Sequence, residues 1–363
     1  MRDPIRTVPG TTEDGRPFDF YVQQEVERGN WRLERVSGET LGTPRDLEVY
    51  RGKRKTNLIV DWVNSAADRD YCCEYWADLK VGKGPCGYRC AECFLILTHR
   101  VKADPSRHLL YENTEDFIRT VQRWLHKRGA RQALGLGIDC SDSLLYEGVT
   151  GYARTLIPMF ADPDTNPFKR HLVMLTKSAN VHYLEGLPTE NVVVTFSLNP
   201  QPIADIFEGR YPDGLRVTPD IGRRLEASAE CGRMGFTTRW RVDPIVPVDG
   251  WQDSYREFFA DASRFGPERI TFGIYRQMGP ALKKFAEKWG LVPMEWSPPT
   301  KMEKDGGTHL QLPRAVRIDT YRQVREMIEQ MWPEGTRPTL ALCKENSEVR
   351  RAAGMSSRHC NCE

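Results

Sequence analysis

GPCGYRCAEC, residues 84–93, places three cysteines in one short stretch, and this stretch decides which fold and chemistry the chain is expected to have. Cys86, Cys90 and Cys93 have the spacing C-x3-C-x2-C, so one loop can bring all three sulfurs to a single metal centre. Three thiolates are one fewer than an ordinary four-cysteine iron–sulfur cluster uses. One iron would then lack a protein ligand, and a small molecule can bind it.

Two other uses of clustered cysteines fit this chain less well. A structural zinc site usually has four ligands, commonly as two pairs, and no second pair follows the triplet. A disulfide framework is typical of small secreted chains, whereas this chain has 363 residues. The spacing therefore favours an iron–sulfur cluster with one open iron.

The composition indicates a globular chain with a sizeable core. Hydrophobic residues make up 39% and charged residues 28% of the sequence, and no apolar run reaches the length of a membrane span. Ten cysteines without a signal-peptide pattern favour a reducing, cytoplasmic location and no membrane partner. The formal net charge of +2 gives no general argument for binding to nucleic acid.

The middle of the chain alternates strand-like and helix-like segments, as six strand–helix units. Such alternation indicates a parallel sheet, so the predicted fold is α/β, a partial (β/α)6 barrel of the TIM type. Reactive residues of such barrels gather at the carboxyl ends of the strands. We expect three parts, an N-terminal extension over 1–70, a core over 71–295 and a C-terminal extension over 296–363.

The triplet and the barrel pattern resemble the radical S-adenosylmethionine (SAM) enzymes, and among these the spore photoproduct lyase family, which repairs a thymine dimer lesion in DNA. Five segments carry the resemblance in family order: CGYRCAECFL (86–95), DCSDSLLYEGVTG (139–151), LTKSANVHYL (175–184), VVTFSLNP (193–200) and RVDPIVPVDGWQDSY (241–255). The resemblance implies a barrel core of the radical SAM type. It also implies reductive cleavage of SAM to a 5′-deoxyadenosyl radical, which abstracts hydrogen from a thymine-type substrate.

The resemblance also assigns residues and partners. It implies that Cys86, Cys90 and Cys93 hold a [4Fe–4S] cluster. The side chains expected to contact SAM are Ser141, Lys177, Ser197 and Asn199. A reductant such as flavodoxin or ferredoxin would supply the electron, and DNA or a nucleoside is the expected substrate partner.

Cys140 is the candidate hydrogen-atom donor. The lyases carry a cysteine in a C-T-S-D stretch that returns hydrogen to the product radical, whereas this chain has D-C-S-D at 139–142. Aligned on Asp142, Cys140 is shifted by one position, and such a shift on a strand reverses the direction of the side chain unless a bulge intervenes. Two placements are therefore open, facing the radical or buried as packing.

Two further departures from the family pattern affect the function. Glu92 and Phe94 stand where the lyases bear tyrosines that help to relay hydrogen, and neither is a good relay. Near the C-terminus, Cys343, Cys360 and Cys362 resemble ligands of an auxiliary iron–sulfur cluster, with a tail of incidental thiols as the alternative.

Three functions are accordingly weighed. The first is a repair lyase acting on the DNA lesion. The second is a two-cluster enzyme that rearranges or modifies a nucleobase, a nucleoside or another small molecule. The third is an iron–sulfur protein that binds nucleic acid or a partner without catalysis, which the intact triplet disfavours.

Overall fold

The computed structural model describes the central part of the chain and short pieces at its N-terminus. The described residues are 9–11, 17–19, 29–55, 57–61, 76–83, 86–91, 93–95, 107–277, 282, 296–305 and 309–355.

Two groups of strands and a set of helices make up the described structure. In chain order the strands are β1 (Pro9–Thr11), β2 (Pro17–Asp19), β3 (Trp31–Val36), β4 (Leu47–Gly52), β5 (Ile59–Asp61), β6 (Trp76–Leu79), β7 (Gly82–Lys83), β8 (Arg107–Tyr111), β9 (Ala133–Leu136), β10 (His171–Thr176), β11 (Val192–Ser197), β12 (Thr237–Ile245), β13 (Arg269–Ile274), β14 (Arg276–Gln277), β15 (Leu310–Gln311) and β16 (Thr339–Leu342). The α-helices are α1 (Gly38–Leu41), α2 (Thr114–His126), α3 (Glu147–Thr150), α4 (Tyr152–Ala161), α5 (Gln201–Phe207), α6 (Ile221–Arg233), α7 (Trp251–Ala262), α8 (Arg314–Met331) and α9 (Ser347–Ala352). A 3-10 helix covers Val181–Leu184.

The main sheet has eight strands in the order β16-β13-β12-β11-β10-β9-β6-β5. Every neighbouring pair is parallel except β5 and β6, which are antiparallel at one edge. All six residues of β11 are buried, as expected for a central parallel strand covered on both faces. The predicted α/β class with a mostly parallel sheet is confirmed.

The sheet is curved. Buried residues from widely separated strands share one apolar cluster: Trp76, Ala133, Val173, Val193 and Cys343. Cys343 follows β16 at one edge of the sheet, whereas Trp76 belongs to β6 near the other edge. Residues at or after the carboxyl ends of β10, β11, β12 and β16 border a common space.

Helices lie between successive parallel strands, as the periodicity predicts. Helix α6 lies between β11 and β12, and the side chain of Asp220 caps it by accepting a hydrogen bond from the amide of Arg223 at 3.1 Å. Helix α6 packs on β11 and β12. None of the described helices combines the length and apolar character that crossing a membrane requires.

Both predicted extensions contribute strands. β16 lies in the segment predicted as a C-terminal extension, yet it pairs with β13 in the main sheet. β5 lies in the predicted N-terminal extension and pairs with β6. A second sheet, in the order β3-β4-β8-β7, joins residues before the core to the strand that leads into the cysteine loop. The main sheet therefore extends beyond residues 71–295 in both directions.

Candidate functional site

The cysteine triplet lies in a loop after β7 that is held against the segment following α5. The amide of Ala91 donates to the carbonyl of Phe207 at 2.8 Å. A Cβ at Gly209 would collide with the carbonyl oxygen of Tyr88, so only glycine permits this close approach. The chain therefore fixes the loop by backbone contacts to a distant segment.

Each sulfur of the triplet accepts a hydrogen bond from a backbone amide. The donor–acceptor pairs are Tyr88 to Cys86, Gly209 to Cys90 and Leu95 to Cys93. Hydrogen bonds to sulfur help to set the properties of iron–sulfur clusters. All three cysteines are half-buried residues. These features fit a cluster held by three thiolates.

The spacing of the sulfurs differs from that of a zinc site. In the part of the chain described here, the group of metal-capable atoms within 4.8 Å of one another consists of Asp78, Asp139 and Cys140. The triplet sulfurs are thus spread more widely than a single tetrahedral zinc ion, with Zn–S bonds of about 2.3 Å, would hold them. The Asp78 group is an ion-pair cluster, because Lys80 Nζ pairs with both carboxylates.

Burial keeps the triplet thiols protonated in the absence of a metal. It raises the pKa of Cys86 and Cys90, and the pKa of Cys93 to about 12. Lys177 opposes this effect at Cys90 and Cys93, because its positive charge favours the thiolates. Metal binding to these thiols must therefore displace protons.

A cavity of about 410 Å³ opens beside the loop and is lined by Cys90, Cys93 and Phe94. Its size lies in the range of sites for drug-sized ligands, roughly 300–1,000 Å³. Polar groups from the carboxyl ends of neighbouring strands reach the same space: Lys177, Ser197, Asn199, Arg241 and Asp243. The cavity thus lies where reactive residues are expected in parallel α/β folds.

Lys177 is the central cation of this wall. Its Nζ donates to Ser197 Oγ at 2.8 Å and to Glu208 Oε1 at 3.0 Å. Burial opposes the charge, but Glu208 and Cys90 together outweigh burial and raise the pKa of Lys177 above its usual value. Lys177 therefore carries its charge at neutral pH and presents it beside two cluster cysteines.

Glu208 forms an ion pair with Lys177, and Arg224 forms an ion pair with Glu208. The sequence analysis identified neither Glu208 nor Arg224. Arg224, which is fully buried, forms a bidentate pair with Glu208, and Thr218 Oγ1 donates to the same carboxylate at 2.5 Å. Burial alone would raise the pKa of Glu208, but the charges of Arg224 and Lys177 hold it far below the usual range. A buried Glu–Arg pair leaves no signal in a one-dimensional pattern.

The other two predicted SAM contacts differ in their placement. Asn199 lines the cavity, and its Oδ1 accepts a hydrogen bond from the hydroxyl of Tyr255 at 2.8 Å. Ser141 is not among the described lining residues, although its Oγ is buried and has no hydrogen-bond partner among them. The structure thus brings Lys177, Ser197 and Asn199 together and leaves Ser141 beside them with an orphaned hydroxyl.

Cys140 is not among the described residues that line this cavity. Its sulfur lies near Asp78 and Asp139 and accepts a hydrogen bond from the amide of Gly82. Strand β9 ends at Leu136, and the amide of Cys140 bonds to the Gly137 carbonyl at 3.1 Å, so Cys140 belongs to a turn. Strand alternation therefore does not set its direction, and the structure places it in packing.

A second polar cluster lines the cavity from β12, from β14 and from the residue that follows β16. Asp243 accepts hydrogen bonds from Arg241 and Arg276, and these pairs hold its pKa at about 2 against the effect of burial. Arg241 Nη2 also lies 3.2 Å from the sulfur of Cys343, which lines the cavity too. Sequence reasoning assigned Cys343 to a tail cluster and did not single out the arginines.

Three sequence predictions fall outside the described residues. Glu92, Cys360 and Cys362 are among the residues that the structure does not describe. Phe94 is described, and its side chain lines the cavity while remaining substantially exposed.

Comparisons with known proteins support one family. A spore photoproduct lyase from Clostridium acetobutylicum is 23% identical over 243 residues, which cover 66% of this chain and 67% of the relative. The Bacillus subtilis enzyme is 22% identical over 196 residues, or 54% of each chain. A match to a Geobacillus enzyme covers 62% of that relative.

Solved structures agree in fold. A spore photoproduct lyase complexed with dinucleoside spore photoproduct has a TM-score of 0.61 at 20% identity, with 81% of both chains covered. A mutant lyase with bound AdoMet and dinucleoside spore photoproduct has a TM-score of 0.62 at 19% identity, with 82% of both chains covered. The model of the family described as spore photoproduct lyase matches residues 35–303. The chain therefore belongs to the spore photoproduct lyase family, whose members are radical SAM lyases.

Proposed function

We propose that this chain cleaves SAM reductively and uses the resulting radical to abstract hydrogen from a thymine-type lesion, as a repair enzyme of the spore photoproduct lyase type. One observation carries the proposal: Cys90 and Cys93 of the triplet line a cavity that is also lined by Lys177, Ser197 and Asn199. Family membership and a solved relative with AdoMet and dinucleoside spore photoproduct support the choice of cofactor and substrate.

The residues have distinct roles in this proposal. Cys86, Cys90 and Cys93 hold a [4Fe–4S] cluster, which supplies the electron that splits SAM when bound. Lys177 offers a positive charge to the methionine carboxylate, and Ser197 and Asn199 offer polar atoms to SAM. Ser141 Oγ, which is buried without a partner among the described residues, is a further candidate SAM contact after a small movement.

The wider organisation is part of the same proposal. The curved, mostly parallel sheet supports a partial (β/α)6 barrel core, to which the C-terminal part contributes β16. In this proposal the chain consists of an N-terminal extension (1–70), a radical SAM core (71–295) and a C-terminal extension (296–363). A low-potential flavodoxin or ferredoxin is the proposed reductant, and a reducing cytoplasm, which keeps thiols free, is the proposed location.

Turnover of the dinucleoside lesion tests the proposal. Reconstituted, reduced protein with SAM and dinucleoside spore photoproduct is expected to form 5′-deoxyadenosine and the repaired dinucleoside, both measured by liquid chromatography with mass spectrometry. The matched control lacks reductant. Formation of 5′-deoxyadenosine without repaired dinucleoside would reject the lesion as substrate while keeping the SAM chemistry.

A second candidate function is a two-cluster enzyme that acts on a nucleobase, nucleoside or other small molecule. The observation that favours it is the position of Cys343, which lines the cavity instead of lying on the surface. In this version Cys343, Cys360 and Cys362 would hold an auxiliary [4Fe–4S] cluster beside the substrate.

Iron counting separates the two candidates. In the single-cluster enzyme, protein reconstituted without oxygen is expected to bind about four irons per chain. The variant with Cys343, Cys360 and Cys362 changed to alanine is expected to bind the same amount. Near eight irons in the intact chain, with a fall to near four in the variant, would establish the auxiliary cluster instead.

A further inference from the structure

The cavity beside the cysteine loop contains one thiol that the proposed chemistry has not used. Among the described lining residues, the cysteines are Cys90, Cys93 and Cys343. The first two belong to the triplet. Cys343 directly follows β16, which is a strand at one edge of the main sheet. Cys343 thus shares the space in which the radical would form.

The position of Cys343 is fixed from several directions. Its amide donates to the Phe272 carbonyl at 2.6 Å, which continues the pairing of β16 with β13. Arg276 Nη1 donates to the Cys343 carbonyl at 3.1 Å. Arg241 Nη2 donates to its sulfur at 3.2 Å. These three hydrogen bonds hold Cys343 at the cavity wall.

Charged and apolar groups meet at the Cys343 side chain. Asp243 pairs with both Arg241 and Arg276, which leaves one net positive charge beside the sulfur. Cys343 also packs against an apolar cluster that includes Trp76 and Val193. Because the sulfur accepts a hydrogen bond from Arg241, its S–H bond is not directed at that guanidinium.

Cys140, the donor suggested by the family pattern, is placed differently. It lies in the turn after β9, next to Asp78 and Asp139, and is not among the described residues that line the cavity. Its sulfur packs within the ion-paired group around Lys80, where it lies within 4.8 Å of carboxylate oxygens of Asp78 and Asp139. The chain therefore offers Cys343 and not Cys140 to the cavity.

We propose that Cys343 is the hydrogen-atom donor that quenches the substrate-derived radical in this cavity. In this step the S–H bond of Cys343 breaks homolytically and a C–H bond forms on the product. The thiyl radical left on sulfur takes one electron from the low-potential one-electron reductant of the enzyme and one proton from water. The proposal rests on the proposed radical chemistry and replaces Cys140 in it.

Deuterium transfer from solvent tests this role, because an S–H group exchanges with D2O. The intact enzyme in D2O is expected to place one deuterium in the repaired dinucleoside. The variant Cys343→Ser keeps an acceptor for Arg241 but has an O–H bond too strong to donate a hydrogen atom. In this variant the amount of repaired dinucleoside formed per 5′-deoxyadenosine is expected to fall at least about tenfold. The repaired dinucleoside that still forms is expected to carry no deuterium from the solvent.

Two control variants separate the donor role from general damage. Cys140→Ala is expected to retain deuterium incorporation, as is Cys231→Ser, which changes a thiol in the core of helix α6. The reverse pattern, with incorporation lost in Cys140→Ala and kept in Cys343→Ser, would overturn the proposal and restore the family donor.

Two readouts do not depend on the lesion being the substrate. Without substrate, SAM cleavage in D2O is expected to yield deuterated 5′-deoxyadenosine in the intact enzyme and much less deuterium in Cys343→Ser. Iron per chain and the electron paramagnetic resonance spectrum of the reduced cluster are expected to be unchanged in this variant. Equal deuterium in both proteins, or loss of iron in Cys343→Ser, would overturn the donor role. Absence of repair in the intact enzyme would reject only the proposed substrate.

Discussion

Changing Cys86, Cys90 and Cys93 together to alanine is expected to reduce bound iron from about four per chain to nearly none. Formation of 5′-deoxyadenosine is expected to fall to the level without enzyme, because the variant lacks the three thiolates that would hold the cluster beside this cavity. Colorimetric iron and sulfide assays after anaerobic reconstitution measure the first effect, and chromatography of the reaction with SAM and dithionite measures the second.

The control for this variant is Cys231→Ala, which makes the same chemical change in a buried part of helix α6. It is expected to keep its iron and its SAM cleavage. Circular dichroism should show the same secondary structure in both variants and in the intact protein. Iron retained in the triplet variant would contradict the assignment of these cysteines, whereas loss of iron in both variants would indicate unfolding.

Local order in this chain was predictable from short stretches of sequence. The β-branched run at 192–197 and the cap at Asp220 identify β11 and helix α6, because both depend on residues close together in the chain. The same holds for the cysteine loop, whose ligands lie within eight positions. Ser197 and Asn199 were placed at the site by the family resemblance, and they lie at and after the end of the buried strand β11.

Pairs that are distant in sequence could not be predicted in the same way. Lys177 and Glu208 are 31 positions apart, and Arg241 and Cys343 are 102 positions apart. Whether such side chains meet depends on the order and curvature of the strands, which periodicity does not specify. The sequence analysis did not identify β16 for a related reason. This strand has only four residues, and its pairing with β13 is what makes it part of the main sheet.

The direction of Cys140 shows a limit of reasoning from strand alternation. A one-residue shift reverses a side chain only while the chain remains a strand. Here β9 ends at Leu136, and the amides of Cys140 and Ser141 both bond to the Gly137 carbonyl, which forms a turn. Gly137 has a φ of +69°, a conformation that favours glycine, so the chain leaves the strand at this residue.

Replacing Arg224 with methionine is expected to lower the free energy of unfolding by about 3–5 kcal/mol, because it leaves a buried carboxylate short of its main partner. Arg224 is fully buried and holds both oxygens of Glu208, whose side chain is 6% exposed. Urea unfolding of the intact protein and the variant at pH 7 measures the difference. The matched control is Arg256→Met, which breaks an exposed pair with Asp253 and is expected to cost no more than about 1 kcal/mol.

The pH dependence of this effect gives a second, independent check. Because the folded pKa of Glu208 lies far below its unfolded value, its pairing contributes stability above an unfolded pKa of about 4.3 and loses it as the pH falls further. The difference in the free energy of unfolding between the intact protein and Arg224→Met should therefore be largest near neutral pH and should decrease below about pH 4. Adding Glu208→Gln removes the unpaired charge and should recover part of the loss at pH 7. Two outcomes would show that Glu208 does not depend on Arg224 for its charge. One is a difference in unfolding free energy that stays constant with pH, and the other is a loss of stability in Arg224→Met no larger than that in Arg256→Met.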